Sequence, residues 1–591
     1  MKNIYKLLIL TVVASGTMFY SCETIELEKL ASPIALTNAD PDLLLNRIQI
    51  DFNGSMAEFN SEGASTGRIR VMGTRNYFQR YGSGTVSTSW NNLYTDIMPD
   101  IAGIEAAHSA DNDLSFHLGV AKALQATIII NLVDYLGDIV LSEATNPAEF
   151  PSPTLDDDAE VYAAAIALLD EAKAYLTGAS QGTALDMYYD GDTDKWIKFI
   201  NTIKMRANLT QGLYPAVINA TNVISSTSDD LEFKYGTQLI GPNTRHPDYN
   251  GDYQSTGTGI YHSNWLMSMM VGDYGDFGPD AGIRPEPDPR RRFYFYRQNW
   301  TTPGNYSLVL VGNSAFFNEE PENGETLQCS LQNVPTHLEF TPDEDIWCSV
   351  QMGYWGRSHG NDEGTPPDGF TKTASSVYPS GGSFDGASDY PTDGEAEYAA
   401  QFVALGAGGV GAGIEPIMLA SFADFYRAEA YLATNDPVNA ATYLQSAITK
   451  SIAKVQSFGA LDPAANAAAM TKATDPVRIS TFIAETIAAF NAAPMTSALD
   501  GFGWPVEKDK MDILGEQLFV AQFGAGNDAF NFIRRTGHPR TISRSLEGSP
   551  GLFPRSVLYP SSEVSSNPNV NQKTDLATKV FWDQGVTNPA N

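Results

Sequence analysis

The chain has 591 residues, 42% of them hydrophobic and 11% aromatic, which is ample for a large buried core. Its 37 Lys and Arg face 70 Asp and Glu, a net charge of −33. That balance repels phosphate backbones and anionic lipid surfaces, so nucleic-acid binding is excluded as a reading.

Lys2 and Lys6 precede the apolar run Leu7–Ala14, which is too short to span a bilayer and reads as an export signal over residues 1–21. Cys22 follows directly behind Ser21, the arrangement of a thiol that is acylated while the chain is cut before it. Phe19 and Tyr20 are bulkier than such a box usually allows, and a plain signal peptide with an incidental Cys22 is the alternative. Two acyl signals on one residue anchor stably, so residues 22–45 are expected to be a lipidated tether. The acids Glu23, Glu26 and Glu28 resemble the surface-export signal of Bacteroidota lipoproteins.

From residue 46 to 235 the helical period dominates. Leu118, Ala121, Leu124, Ile128, Leu132 and Tyr135 recur at three- and four-residue steps, and "IIINLV" makes that helix apolar most of the way round, as a buried helix requires. Val161, Ala165, Leu168, Ala172 and Tyr175 form a second stripe. In "DGDTDKW", Asp190 and Asp192 read as helix-entry caps and Trp196 as core.

Residues 236–415 are broken every few positions by Gly, Pro, Asn and Asp, with "RRFYFYR" (291–297) the clearest strand-like piece. Trp265, Trp300, Trp347 and Trp355 all sit in or beside turn sequence there, which suits packed loops better than disorder. Cys329 and Cys348 could pair outside the cytoplasm or stay separate and buried. Helical period returns at 416–456, with Leu419, Phe422, Tyr426, Ala430 and Ala433 on one stripe, and a turn at "ATNDP" makes a helical hairpin of tetratricopeptide type or a generic antiparallel pair. Helix is expected to 545, then turns and short extended pieces over 546–591.

Several motifs fail on context. "GASQG" (178–182) and "GRSHG" (356–360) match G-x-S-x-G without the strand–turn–helix a nucleophile elbow needs. "GAGGVG" (406–411) is followed after one turn by Pro416, so no Rossmann helix can form. "DGDTD" (190–194) has Lys195 and Asn201 where a calcium loop needs Gly and Glu. No zinc spacing and no phosphate loop is present, so no catalytic residue, metal or cofactor is assigned.

"AKALQATIIINLVDYLGDIVLSEA" (121–144), "MYYDGDTDKWIKFINTIKMRAN" (187–208), "YWGRSHGNDEGTPPDG" (354–369), "EPIMLASFADFYRAEAYL" (415–432), "FNFIRRTGHPR" (530–540), "FPRSVLYPSSEVSSNPN" (553–569) and "VFWD" (580–583) together resemble the SusD/RagB family of nutrient-binding outer-membrane lipoproteins, its SusD-like branch in Bacteroidota. "ALQA" departs from the arginine often found before that alanine. The resemblance implies a mostly α fold, tetratricopeptide-like hairpins with a loop-rich, minor-β insert packed on them, over a single domain from 46 to 591. It also implies a SusC-type TonB-dependent transporter as partner, and delivery of ligand without chemistry at the outer membrane, facing outward. Arg534 and Arg535 read as structural, complementing a helix C-terminus and pairing with acids.

The ligand site follows from composition alone. Sugars present apolar ring faces and many hydroxyls, so loop aromatics beside polar residues suit them. Trp265, Tyr274, Trp300, Trp347, Tyr354 and Trp355 are the candidates, then Tyr81. A peptide ligand within the same family, a secreted glycan-cleaving enzyme and a purely structural scaffold are the rivals.

Overall fold

A computed structural model describes residues 39–588 apart from 145, 147, 272–286, 299–307, 312–313, 318–334, 340, 344–345, 347–352, 362–371 and 388–400. Cys22, Cys329 and Cys348, and with them the signal, most of the tether and the cysteine pairing, lie outside the described residues. The principal helices and strands, in chain order, are α1 (Pro41–Thr66), α2 (Ser115–Leu136), α3 (Asp158–Leu176), α4 (Thr193–Thr210), β1 (Leu231–Lys234), α5 (Asn264–Val271), β2 (Phe295–Tyr296), β3 (Leu308–Val311), β4 (Ser314–Phe317), β5 (Ala374–Ser375), β6 (Ile414–Met418), α6 (Ala420–Ala433), α7 (Pro437–Gln456), α8 (Pro476–Ala492), α9 (Lys510–Ala521) and α10 (Asn527–Thr536). The fold is mostly α with a few short strands, as the sequence leads one to expect.

Helix α2 is the hub. It is long and apolar enough to cross a membrane, yet 94% of its most apolar window is buried inside the protein, which marks it as a core helix. It packs antiparallel on α3 and against α1, and α6 with α7 forms the matching hairpin in the second helical region. Asp157 and Asp192 cap α3 and α4 through their carboxylates, satisfying amides that the first helical turn leaves open. Asp190 is no cap; it takes a left-handed backbone (φ 52°) in the turn before α4. Trp196 is fully buried, its indole N–H donating to Asp186 at 2.8 Å.

Two details differ from the periodic reading. On α3 the buried stripe runs through Leu169 and Leu176 rather than Leu168 and Tyr175, because Val161, Ala165 and Ala172 fix the phase and each bulky pair straddles its edge. Helix does not resume at 416. Residues 414–418 form β6, antiparallel to β1, with Glu232 opposite Pro416 and Phe233 opposite Glu415. Pro416 has no amide to donate and would obstruct a helix interior, whereas a two-stranded edge tolerates it. The piece 291–297 is one helical turn followed by β2, which pairs with β5.

Helix α1 and the start of α10 cross at glycine. A Cβ on Gly63 would lie 2.3 Å from the carbonyl oxygen of Gly526 and 2.7 Å from Asn527 Cα, both backbone atoms that cannot swing aside. Alanine in a helix interior is intrinsically better than glycine by about 1 kcal/mol. The overlap outweighs this, so Gly63→Ala is expected to lose about 1–3 kcal/mol in chemical denaturation; an unchanged or raised midpoint would contradict the crossing.

Candidate aromatic groove

The sequence candidates separate once placed. Tyr81 is buried, its ring stacked on Tyr77 and its hydroxyl 2.8 Å from Thr66 Oγ1. Tyr354 is buried with the Arg297 and Arg291 guanidinium carbons 4.8 and 5.4 Å from its ring centre. Trp355 is buried too, its backbone exchanging hydrogen bonds with Thr373. These three therefore sit in the interior instead of presenting ring faces, because their flat area is spent on packing and on cations. Tyr274, Trp300 and Trp347 lie outside the described residues. Trp265 is the candidate that lines a groove.

That groove has a volume of about 200 Å³. One wall is α5, where Trp265 and Met269, one turn apart, face the same way. The second is a hairpin over residues 498–506, bridged at Leu499 and Pro505, that carries Trp504, Pro505 and Val506. The floor is α9 with Glu516, and Thr541 after α10 closes the end.

Each wall is fixed locally. Asn264 pins the start of α5, donating to the carbonyl of Ile346 at 3.0 Å and accepting from the amide of Gly356 at 3.1 Å. The Asp500 carboxylate accepts from the amides of Phe502 and Trp504 at 2.8 and 2.9 Å, and Gly503 supplies the left-handed residue the turn needs. Asp509 and Asp512 form a capping box at the start of α9. Arg540 donates to both carboxylates, at 2.8 Å to Asp509 Oδ2, and also to the Ser497 carbonyl at 2.8 Å, tying the hairpin's base to α9. Although Asp509, Asp512 and His538 lie close enough to hold a cation, Arg540 already supplies their countercharge.

The polar groups in the walls are largely committed. The Trp265 N–H donates to the Thr541 carbonyl at 2.8 Å. Glu516 accepts from Thr541 Oγ1 at 2.6 Å and pairs with Lys508 at 2.9 Å. Trp504 differs: its ring lies beneath the Arg544 guanidinium, 5.4 Å from the ring centre, and its buried N–H has no acceptor among the described residues. Asp343, next to the groove residue Pro342, accepts from the Arg544 amide at 2.8 Å, and burial pushes its carboxyl up to about 7. Trp265 and Trp504 are themselves 4% and 6% exposed, so each gives the groove a strip of indole rather than an open face; with Glu516 committed, these offer recognition surface rather than an acid–base pair. Trp504 is not among the sequence candidates, although "DGFGWPVEK" carries the same signal, tryptophan in a glycine-rich turn, beyond the loop-rich residues 236–415.

Arg534 and Arg535 lie elsewhere, as structural residues. Arg534 is buried between the rings of Phe530 and Trp582 and donates to the Arg555 carbonyl at 2.6 Å. Arg535 makes a two-pronged pair with Glu429 at 2.6 and 2.7 Å.

Residues 33–314 match the SusD-like family described as starch-binding and associating with the outer membrane. Among curated proteins no sequence relative matches. Solved structures share the fold. A SusD homologue from Bacteroides fragilis is 17% identical, with 92% of this chain and 99% of that one covered at a TM-score of 0.57. A SusD/RagB family protein from Bacteroides thetaiotaomicron is also 17% identical, covering 93% and 99% at 0.58. A chitin-binding SusD homologue from Flavobacterium johnsoniae is 16% identical, covering 92% and 100% at 0.54.

Proposed function

The chain belongs to the SusD-like family, and from that premise we propose that it is a lipid-anchored nutrient-binding protein of the outer membrane that captures an oligosaccharide at the cell surface. It hands its ligand to a SusC-type TonB-dependent transporter and does not cleave it. The groove lined by Trp265 and Trp504 is the observation that carries the ligand class: indole surface suits the apolar faces of sugar rings, and Glu516 is held in a pair with Lys508. A family relative described as chitin-binding supports a glycan over a peptide. Cys22 is the lipid attachment, which fatty-acid labelling lost on Cys22→Ser tests.

The deciding experiment is a glycan array run beside a peptide pool on the soluble chain from Glu23 onward. Retention of one glycan class without release of shorter products is expected. Retention of peptides alone, or turnover of the glycan, would replace this reading with one of its rivals.

A further inference from the structure

Resting on that reading of the groove, we infer that Trp504 is its specificity donor: the indole N–H is held for an acceptor oxygen of a neutral sugar ring, and acidic sugars are rejected. Three observations converge on this. First, the Trp265 N–H is consumed by Thr541 and Lys508 is drawn to Glu516, whereas the Trp504 N–H is buried and has no acceptor among the described residues. A buried N–H without a partner is rare and costly, so a ligand that supplies an oxygen removes a cost the free protein bears. Second, Lys508 and Arg544 offset Glu516 and Glu507 at the groove, so what opposes a carboxylate or sulfate is the field of the whole chain, whose net charge is −33. Third, the groove, at about 200 Å³, has room for a sugar ring beside the indoles.

The donor is reached by movement of the hairpin. Its N–H edge is shut from solvent, so the hairpin must tilt for a ligand oxygen to reach it. Arg540 ties the hairpin's base at Ser497 and Arg544 ties its tip at the Phe502 carbonyl, so the tilt has to release the Arg544 contact, while Leu499, Phe502 and Val506 are exposed. The sugar's flat face then lies on an indole while one ring-borne oxygen accepts from Trp504.

The test takes a glycan retained on the array, its uronate-bearing counterpart, and the Trp504→Phe variant. Phenylalanine keeps a flat apolar ring and removes the donor, so affinity by calorimetry is expected to fall about tenfold. The uronate-bearing glycan is expected to bind the wild type at least tenfold more weakly. A second reading needs no variant to fold: in the wild type, the indole N–H resonance of Trp504 should shift downfield on titration with the neutral glycan. If the wild type retains no glycan, the groove reading falls and this inference with it. If the wild type binds but the phenylalanine variant binds equally well, or the resonance stays still, the groove stands and the donor role is overturned. Equal affinity for the uronate form, or a shift produced by peptides and not by sugars, overturns the ligand class.

Discussion

Replacing Arg206 with methionine is expected to cost about 3–5 kcal/mol of folding stability. Arg206 on α4 is buried and donates to Asp528 at 2.6 Å, to Asn131 at 2.7 Å and to Asp134 at 3.1 Å. It thereby joins α4, α2 and α10. Methionine preserves most of the stem's packing, so the loss reports on charge and hydrogen bonding alone. The carboxylates left behind are themselves enmeshed. Asp134 also accepts from Asn531 and from the Trp582 indole, and Asp528 is bonded to the Tyr426 hydroxyl. Burial raises the Asp134 carboxyl above its ordinary range, and Arg206 is the leading influence pulling it back.

The sign with pH follows. A carboxyl whose folded value is raised destabilises the folded state once pH climbs above its unfolded value, and removing the cation raises it further. The gap between variant and wild type should therefore widen from acid to neutral pH in urea titrations. A gap that is flat with pH, or below 1 kcal/mol, would show that the buried cation is not what balances these acids.

The second large effect concerns binding. Val506 is 69% exposed at the mouth of the groove. An arginine there is expected to reduce glycan affinity at least tenfold by filling the entrance, while shifting stability by no more than about 0.5 kcal/mol, as exposed substitutions do. Trp265→Ala should abolish measurable binding as well, since central tryptophans dominate interface energies. That variant also loses the edge-on packing of Trp265 against Phe519 and about 3–5 kcal/mol of stability. The two variants thus separate a blocked entrance from a damaged wall. Unchanged calorimetric affinity in Val506→Arg would place the ligand elsewhere.

Much of the helical frame was legible in the sequence because its signals are local. Asp192 caps the helix it precedes, Trp196 lies one turn inside, and "IIINLV" could only be buried. The phase error on α3 is equally physical: Leu168 and Leu169 are both apolar, and only the packing of α3 on α2 decides which of them is core. At Pro416 the helical stripe that starts with Leu419 extends backward into a strand whose partner, β1, lies nearly two hundred residues earlier.

The groove was less legible because no stretch of sequence contains it. Trp265 and the Thr541 carbonyl it bonds are 276 positions apart, and Trp504 arrives from a third segment. Aromatic loop composition names a residue type that lines the groove and cannot rank the individuals. Tyr354 and Trp355 have the same turn-rich surroundings as Trp265 and all three are buried, yet of these only Trp265 borders the groove.

The short ladder between Leu231–Lys234 and Ile414–Met418 has a consequence for how such a protein diversifies. It brings the two ends of residues 235–413 within a strand spacing of about 4.8 Å, like the neck of a purse. The turns between its core-packed pieces can lengthen or shorten while the neck stays drawn, since closing a longer flexible loop adds only about 0.6 kcal/mol per doubling. New appetites can then arise by refilling rather than rebuilding.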